Sequence, residues 1–205
     1  MSQGGTLTIN NASALTIRSE NANVIFNGGQ SARIEAHNGS DIVMAGATVE
    51  SSVGRGALSL SDSSATIQAS TITSTNSMGL LLGRNINTPT ASSATVTGAS
   101  TITGLVGGAN ATGFSVLTVN DSTVRGTGAT SYGVQLEGAT LSATGSTISG
   151  AQDGLRIGAD NTGVKASTVT LNNTLVTGTP ARRSLLVPLV LLAPSQPSMC
   201  LMAPN

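Results

Sequence analysis

Six short segments of the chain share one pattern: an apolar residue, four small or polar residues, then a second apolar residue. They are residues 44–49 (MAGATV), 67–72 (IQASTI), 97–102 (TGASTI), 119–124 (VNDSTV), 143–148 (ATGSTI) and 171–176 (LNNTLV). In the third copy Val96 takes the first apolar role. The second anchors, Val49, Ile72, Ile102, Val124, Ile148 and Val176, are separated by 23, 30, 22, 24 and 28 residues. A beat near two dozen that stretches and shrinks has no place in a compact globular core. It suits a solenoid, in which each turn buries its apolar face only by stacking on its neighbours.

Within a unit the alternation is strand-like: Leu117 and Val119 flank Thr118, Leu141 and Ala143 flank Ser142, and Val169 and Leu171 flank Thr170. Period two sends one set of side chains inward and the other outward. A second element follows in several units, where Gly79, Gly113, Gly133 and Gly154 each precede an apolar residue, a spacer and another apolar residue. These glycines read as corners, because glycine reaches positive φ without steric cost. Each coil is thus predicted to hold about three short strands. The N-terminal stretch shows a shorter beat, with anchors at Leu7/Ile9, Leu15/Ile17, Val24/Phe26, Ile34 and Ile42/Met44.

The predicted fold is all-β: a right-handed, single-stranded parallel β-helix solenoid. Right-handedness follows from the crossover preference of parallel strands. Seven or so coils at about 4.8 Å each make a rod roughly 35 Å long. Helical repeats are disfavoured by the density of Thr, Ser, Val and Gly. Leucine-rich repeats lack their framework here, propeller blades are longer and aromatic, and an antiparallel sandwich leaves the repetition unexplained. Residues 1–179 are assigned to the repeats. Residues 83–92 and 104–113 are expected to be surface loops.

Composition narrows function. Charged residues make up 9% of the 205-residue chain, aromatics 1%, and the net charge is zero. No basic stripe or stacking platform suits nucleic acid, and Arg182–Arg183 is the only adjacent basic pair. The single cysteine, Cys200, excludes an intrachain disulfide framework. The first residues lack the pattern of a signal peptide, and the longest apolar run, residues 185–193, is too short to span a bilayer and contains Pro188.

Nine acidic residues are spread so that no two lie within two positions of each other. Asp153 and Asp160 near Arg156 are the nearest thing to a cluster and read as a solvated turn; Arg125, Arg156 and Lys165 read as outward solubilising residues. His37 is alone, where zinc needs several ligands, and reads as a surface-loop residue. Residues 104–108 lack the Gly-Lys-Ser/Thr of a phosphate loop. No catalytic, cofactor-binding or metal-binding residue is assigned, and no cofactor is expected.

The units at residues 94–104, 139–150 and 167–178 resemble the passenger domain of pertactin-like autotransporters. The resemblance covers about residues 57–179, and more loosely 7–56. It implies export across the outer membrane, a passenger with a pectate-lyase-like β-helix at the bacterial surface or in the medium, and an adhesive or structural role rather than an enzymatic one. Signal sequence, Pro-rich linker and translocator barrel are not recognised, so the chain is expected to be a truncated fragment. Host-cell or neighbouring-cell surfaces are the implied contacts; end-to-end self-association is expected separately, from the unpaired strand edges at both ends of the ladder. The runner-up is a β-helix polysaccharide lyase or epimerase.

Residues 180–205 change character: they carry the only cysteine and no glycine, in a chain with 25. Their dense prolines do not suit a ladder interior. A reading-frame shift near residues 179–183 is expected, with a solenoid cap as the alternative.

Overall fold

The computed structural model describes residues 4–83, 91–159 and 165–178. Among these the chain is all strand and turn, arranged as a parallel β-helix with three sheets of eight, eight and seven strands. Each coil contributes one strand to each sheet in turn, and neighbouring strands run parallel. The first sheet stacks Thr6–Asn10, Asn23–Asn27, Asp41–Ala45, Ser64–Gln68, Ser93–Thr97, Val116–Asn120, Thr140–Thr144 and Thr168–Asn172. The second stacks Ser13–Ala14, Gln30–Ser31, Thr48–Ser51, Thr71–Ser74, Thr101–Gly104, Thr123–Gly126, Thr147–Ser149 and Leu175–Thr177. The third stacks Ile17–Glu20, Ile34–His37, Leu58–Ser61, Met78–Gly83, Gly107–Thr112, Tyr132–Glu137 and Asp153–Gly158.

The six second anchors form one column in the second sheet: Val49, Ile72, Ile102, Val124, Ile148 and Val176 are consecutive register partners. All but the terminal Val176 are fully buried. The first anchors form a second column in the first sheet, from Met44 through Ile67, Val96, Val119 and Ala143 to Leu171. Val96, rather than Thr97, is the inward member of the third unit. Burial of these side chains, at about 25 cal/mol per Å² of apolar surface, drives the stacking.

Coil length varies without disturbing either column. Successive first-sheet strands begin 17, 18, 23, 29, 23, 24 and 28 residues apart. The extra length falls between strands. Of the two expected loops, residues 84–90 lie outside the described residues. Residues 104–113 are not a loop: they include the third-sheet strand Gly107–Thr112, and only residues 105–106 separate it from the second sheet.

Two corners are fastened by serine. Between the first and second sheets, Ser70, Ser100, Ser122 and Ser146 are buried. Each donates to a carbonyl two or three residues back, on Gln68, Thr97, Asn120 and Thr144 respectively. Ser70, Ser100 and Ser146 also accept from the backbone N–H of the preceding coil, on Ala47, Ser70 and Ser122, at 3.1–3.2 Å. This is why Ser precedes Thr-Ile in the repeat: the hydroxyl accepts from a backbone N–H of the preceding coil and shares a carbonyl with the ladder. Ser40, Ser63, Ser92 and Ser115 do similar work between the third and first sheets.

The glycine reading needs correction. Gly79, Gly133 and Gly154 do not have positive φ. They sit inside the third sheet, where a Cβ would lie 2.7 Å from a methyl of Ile102, Ile148 and Val176 respectively; Gly108 faces Val124 at 2.6 Å. Each of these glycines makes room for the second anchor of the following coil. Gly113 belongs to a different place, the corner after Gly107–Thr112, with φ of 52°. Beside it Phe114 holds φ of 68°, uncommon for a bulky side chain. Leu15 is also not an inward anchor: it is 86% exposed, and Ala14 takes the second-sheet position.

Candidate functional site

With the inward residues committed to the core, chemistry is left to the three outer faces. The first two sheets present mainly hydroxyls. Thr66, Thr95, Thr118, Ser142 and Thr170 are consecutive register partners on the first sheet. Thr48, Thr71, Thr101, Thr123 and Thr147 are consecutive partners on the second.

The third sheet differs. Its outer face carries two neighbouring ranks. One runs Arg18, Glu35, Ser59, Leu81, Asn110, Gln135 and Arg156. The other includes Glu20, His37, Ser61 and Gly83, and continues through Thr112, Glu137 and Gly158. Two hollows lie along this face. One of about 310 Å³ is lined by Arg33, Glu35, His37, Arg55, Ser61 and Thr112, among others. The other, about 480 Å³, is lined by Gln135, Glu137, Arg156 and their neighbours on the last described third-sheet strand. Thr112 of the first hollow and Glu137 of the second are register partners on adjacent strands.

Both hollows hold paired polar groups. Arg33 and Glu35 form an ion pair with side chains 15% and 14% exposed, and the Arg33 Nε also donates to the Gly56 carbonyl. Gln135 donates to Glu137. Arg156 pairs with Asp153 through two nitrogens, at 2.8 and 3.2 Å. Its guanidinium lies 5.1 Å from the centre of the Tyr132 ring, a cation–π geometry. Burial pushes the Tyr132 phenol above its ordinary pKa; a hydrogen bond with Asn110 and the nearby Arg156 charge act against that shift, and Glu137 adds to it.

Several sequence expectations change here. Arg156 is outward but not a free solubilising charge, being held by Asp153 and Tyr132. Asp160 lies outside the described residues. His37 ends a strand rather than sitting in a loop, and faces register partners Glu20 and Ser61. Lys165 lies 4.2 Å from the centre of the Phe114 ring. The Asn110–Tyr132–Arg156 contact set escapes a reading of the sequence, since its members become neighbours only through stacking. The aromatic at position 132, in a chain nearly without aromatics, is the available signal.

Among the described residues no group of three or more His, Cys, Asp or Glu side chains is placed to hold a metal ion, and no helix is long and apolar enough to cross a membrane. Comparison with family models, with curated proteins and with solved structures finds no match to the chain.

Proposed function

We propose that this chain is a structural and adhesive rod, the passenger of a bacterial autotransporter, displayed at the outer surface or released from it, and not an enzyme. The supporting observation is the unbroken pair of inward columns, from Met44 to Leu171 and from Val49 to Val176. A rigid ladder of this kind holds outer-face groups at fixed intervals along an axis. Such repetition fits multivalent contact with a surface. The resemblance of residues 94–104, 139–150 and 167–178 to pertactin-like passengers points the same way.

The test is adhesion. Beads coated with the purified chain should retain bacterial or host cells well above beads coated with a β-rich control protein. Retention equal to the control removes the adhesive reading. Incubation with polygalacturonate or alginate should give no unsaturated, ultraviolet-absorbing product; accumulation of such product would assign the chain to the polysaccharide lyases instead.

A further inference from the structure

We infer that the chain associates end to end with a second copy of itself, the strand Thr6–Asn10 of one copy adding to Thr168–Asn172 of another, so that the first two sheets run on from molecule to molecule. The inference goes beyond the adhesive reading and does not depend on what the outer faces hold.

The two ends of the first sheet are near copies of each other. Thr6–Asn10 reads TLTIN and Thr168–Asn172 reads TVTLN. Each is followed by an asparagine in the left-handed region, Asn11 at φ 49° and Asn173 at φ 46°. Each reaches its second-sheet strand at the same interval, at Ser13 and at Leu175. Both are edge strands among the described residues, paired on one side only, and an edge strand presents unpaired N–H and C=O groups. Both leave inward apolar side chains partly in solvent: Leu7 is 49% exposed and Leu171 43%, while Ile9 and Val169 are half-buried.

One further step of the first-sheet register sets these residues against their counterparts. Val169 meets Leu7, Thr170 meets Thr8, Leu171 meets Ile9 and Asn172 meets Asn10 of the next copy. The second sheet follows, with Val176 against Ala14 in the column of second anchors. The asparagine step already occurs inside the molecule, where Asn27 Nδ2 donates to Asn10 Oδ1 at 3.0 Å.

The usual defences of a strand edge are charge and proline. Residues 4–17 and 166–178 contain neither. The third sheet is the contrast: its edge strands Ile17–Glu20 and Asp153–Gly158 carry Arg18, Glu20, Asp153 and Arg156. With seven strands to the others' eight among the described residues, it stays out of the joint. Head meets tail, so the contact is heterologous and does not close on itself. Eight strand steps per copy give an axial repeat of about 38 Å.

The experiment is sedimentation velocity on the full chain over a wide concentration range. The sedimentation coefficient should rise with concentration and show species beyond a dimer. Leu7→Asp and Leu171→Asp should each be monomeric alone, because every joint needs both ends. Mixed together they should form dimers and nothing longer, since one intact tail and one intact head remain. Thr8 and Thr170 are exposed and give a second test that spares the fold. Thr8→Lys with Thr170→Lys in one chain should weaken association several-fold, and Thr8→Lys with Thr170→Glu should restore it in a salt-sensitive way. Thr118→Asp, on the outer face away from both ends, should change nothing. A full chain that stays monomeric throughout overturns the inference, residues 179–205 being then the alternative occupant of the tail edge. Association that ignores the Thr8 and Thr170 charges, or growth beyond dimers in the mixture, overturns it as well.

Discussion

The second and third sheets run through the same coils and bury the same kind of residue, yet they solve the interior differently. The second sheet supplies branched anchors, Ile102, Val124 and Ile148, with no room to spare. The third sheet supplies the space, through Gly79, Gly108 and Gly133, where even a methyl would intrude. Their outer faces diverge as well. The second sheet repeats one threonine rank almost unchanged, while the third changes chemistry at nearly every step. The regular face gives the rod its uniformity; the irregular face varies without disturbing the core.

Substitutions can break or sharpen that contrast. Ile148→Ala should cost about 4 kcal/mol in urea denaturation, as expected for a fully buried branched residue. Gly133→Ala should cost about 3 kcal/mol, because its Cβ would lie 2.7 Å from the Ile148 methyl and 2.5 Å from the Gly154 carbonyl oxygen. The double variant should lose less than the sum by about 1 kcal/mol, since each change relieves some of the other's fault. Strict additivity would mean that anchor and glycine do not share one space.

Ser100→Ala should cost about 1–2 kcal/mol, since it removes the acceptor for the buried Ser70 N–H and the donor to the Thr97 carbonyl. A neutral result would show that the corners hold without their hydroxyls. Alkaline stability probes the third sheet alone. The folded Tyr132 phenol keeps its proton to higher pH than the unfolded one, whose ordinary value is 10.0. Stability should therefore fall as pH rises through about 10, while only the unfolded chain ionises there, and Tyr132→Phe should remove that component of the slope. An unchanged alkaline slope in the variant would place the ionisation elsewhere. The smallest effect belongs to the second sheet's outer face, where Thr147→Ala should shift stability by no more than about 0.5 kcal/mol.

Legibility in the sequence followed the same division. The second-sheet column was readable because Ile and Val recur after Ser-Thr, and register preserved every one of them. It was unreadable in the first two coils, where the strands Ser13–Ala14 and Gln30–Ser31 are two residues long and put Ala14 and Ser31 in the anchor place. The glycines were visible, but their reason was not: the atom that forbids a side chain at Gly79 belongs to Ile102, on the next coil. Likewise the serine before Thr-Ile stood out as a pattern, while its hydrogen bond to a coil 23 or 30 residues earlier did not. The polar outer face of the third sheet was least legible of all. Its residues are set by which outward positions the variable coil lengths bring side by side, and Asn110, Gln135 and Arg156 share no motif.

The fit between glycine and anchor has a direction. A glycine in one winding leaves a notch, and the branched methyl that occupies it arrives with the winding made next. Every junction between windings in this stretch is polar in consequence, with sockets on the earlier winding and plugs on the later one.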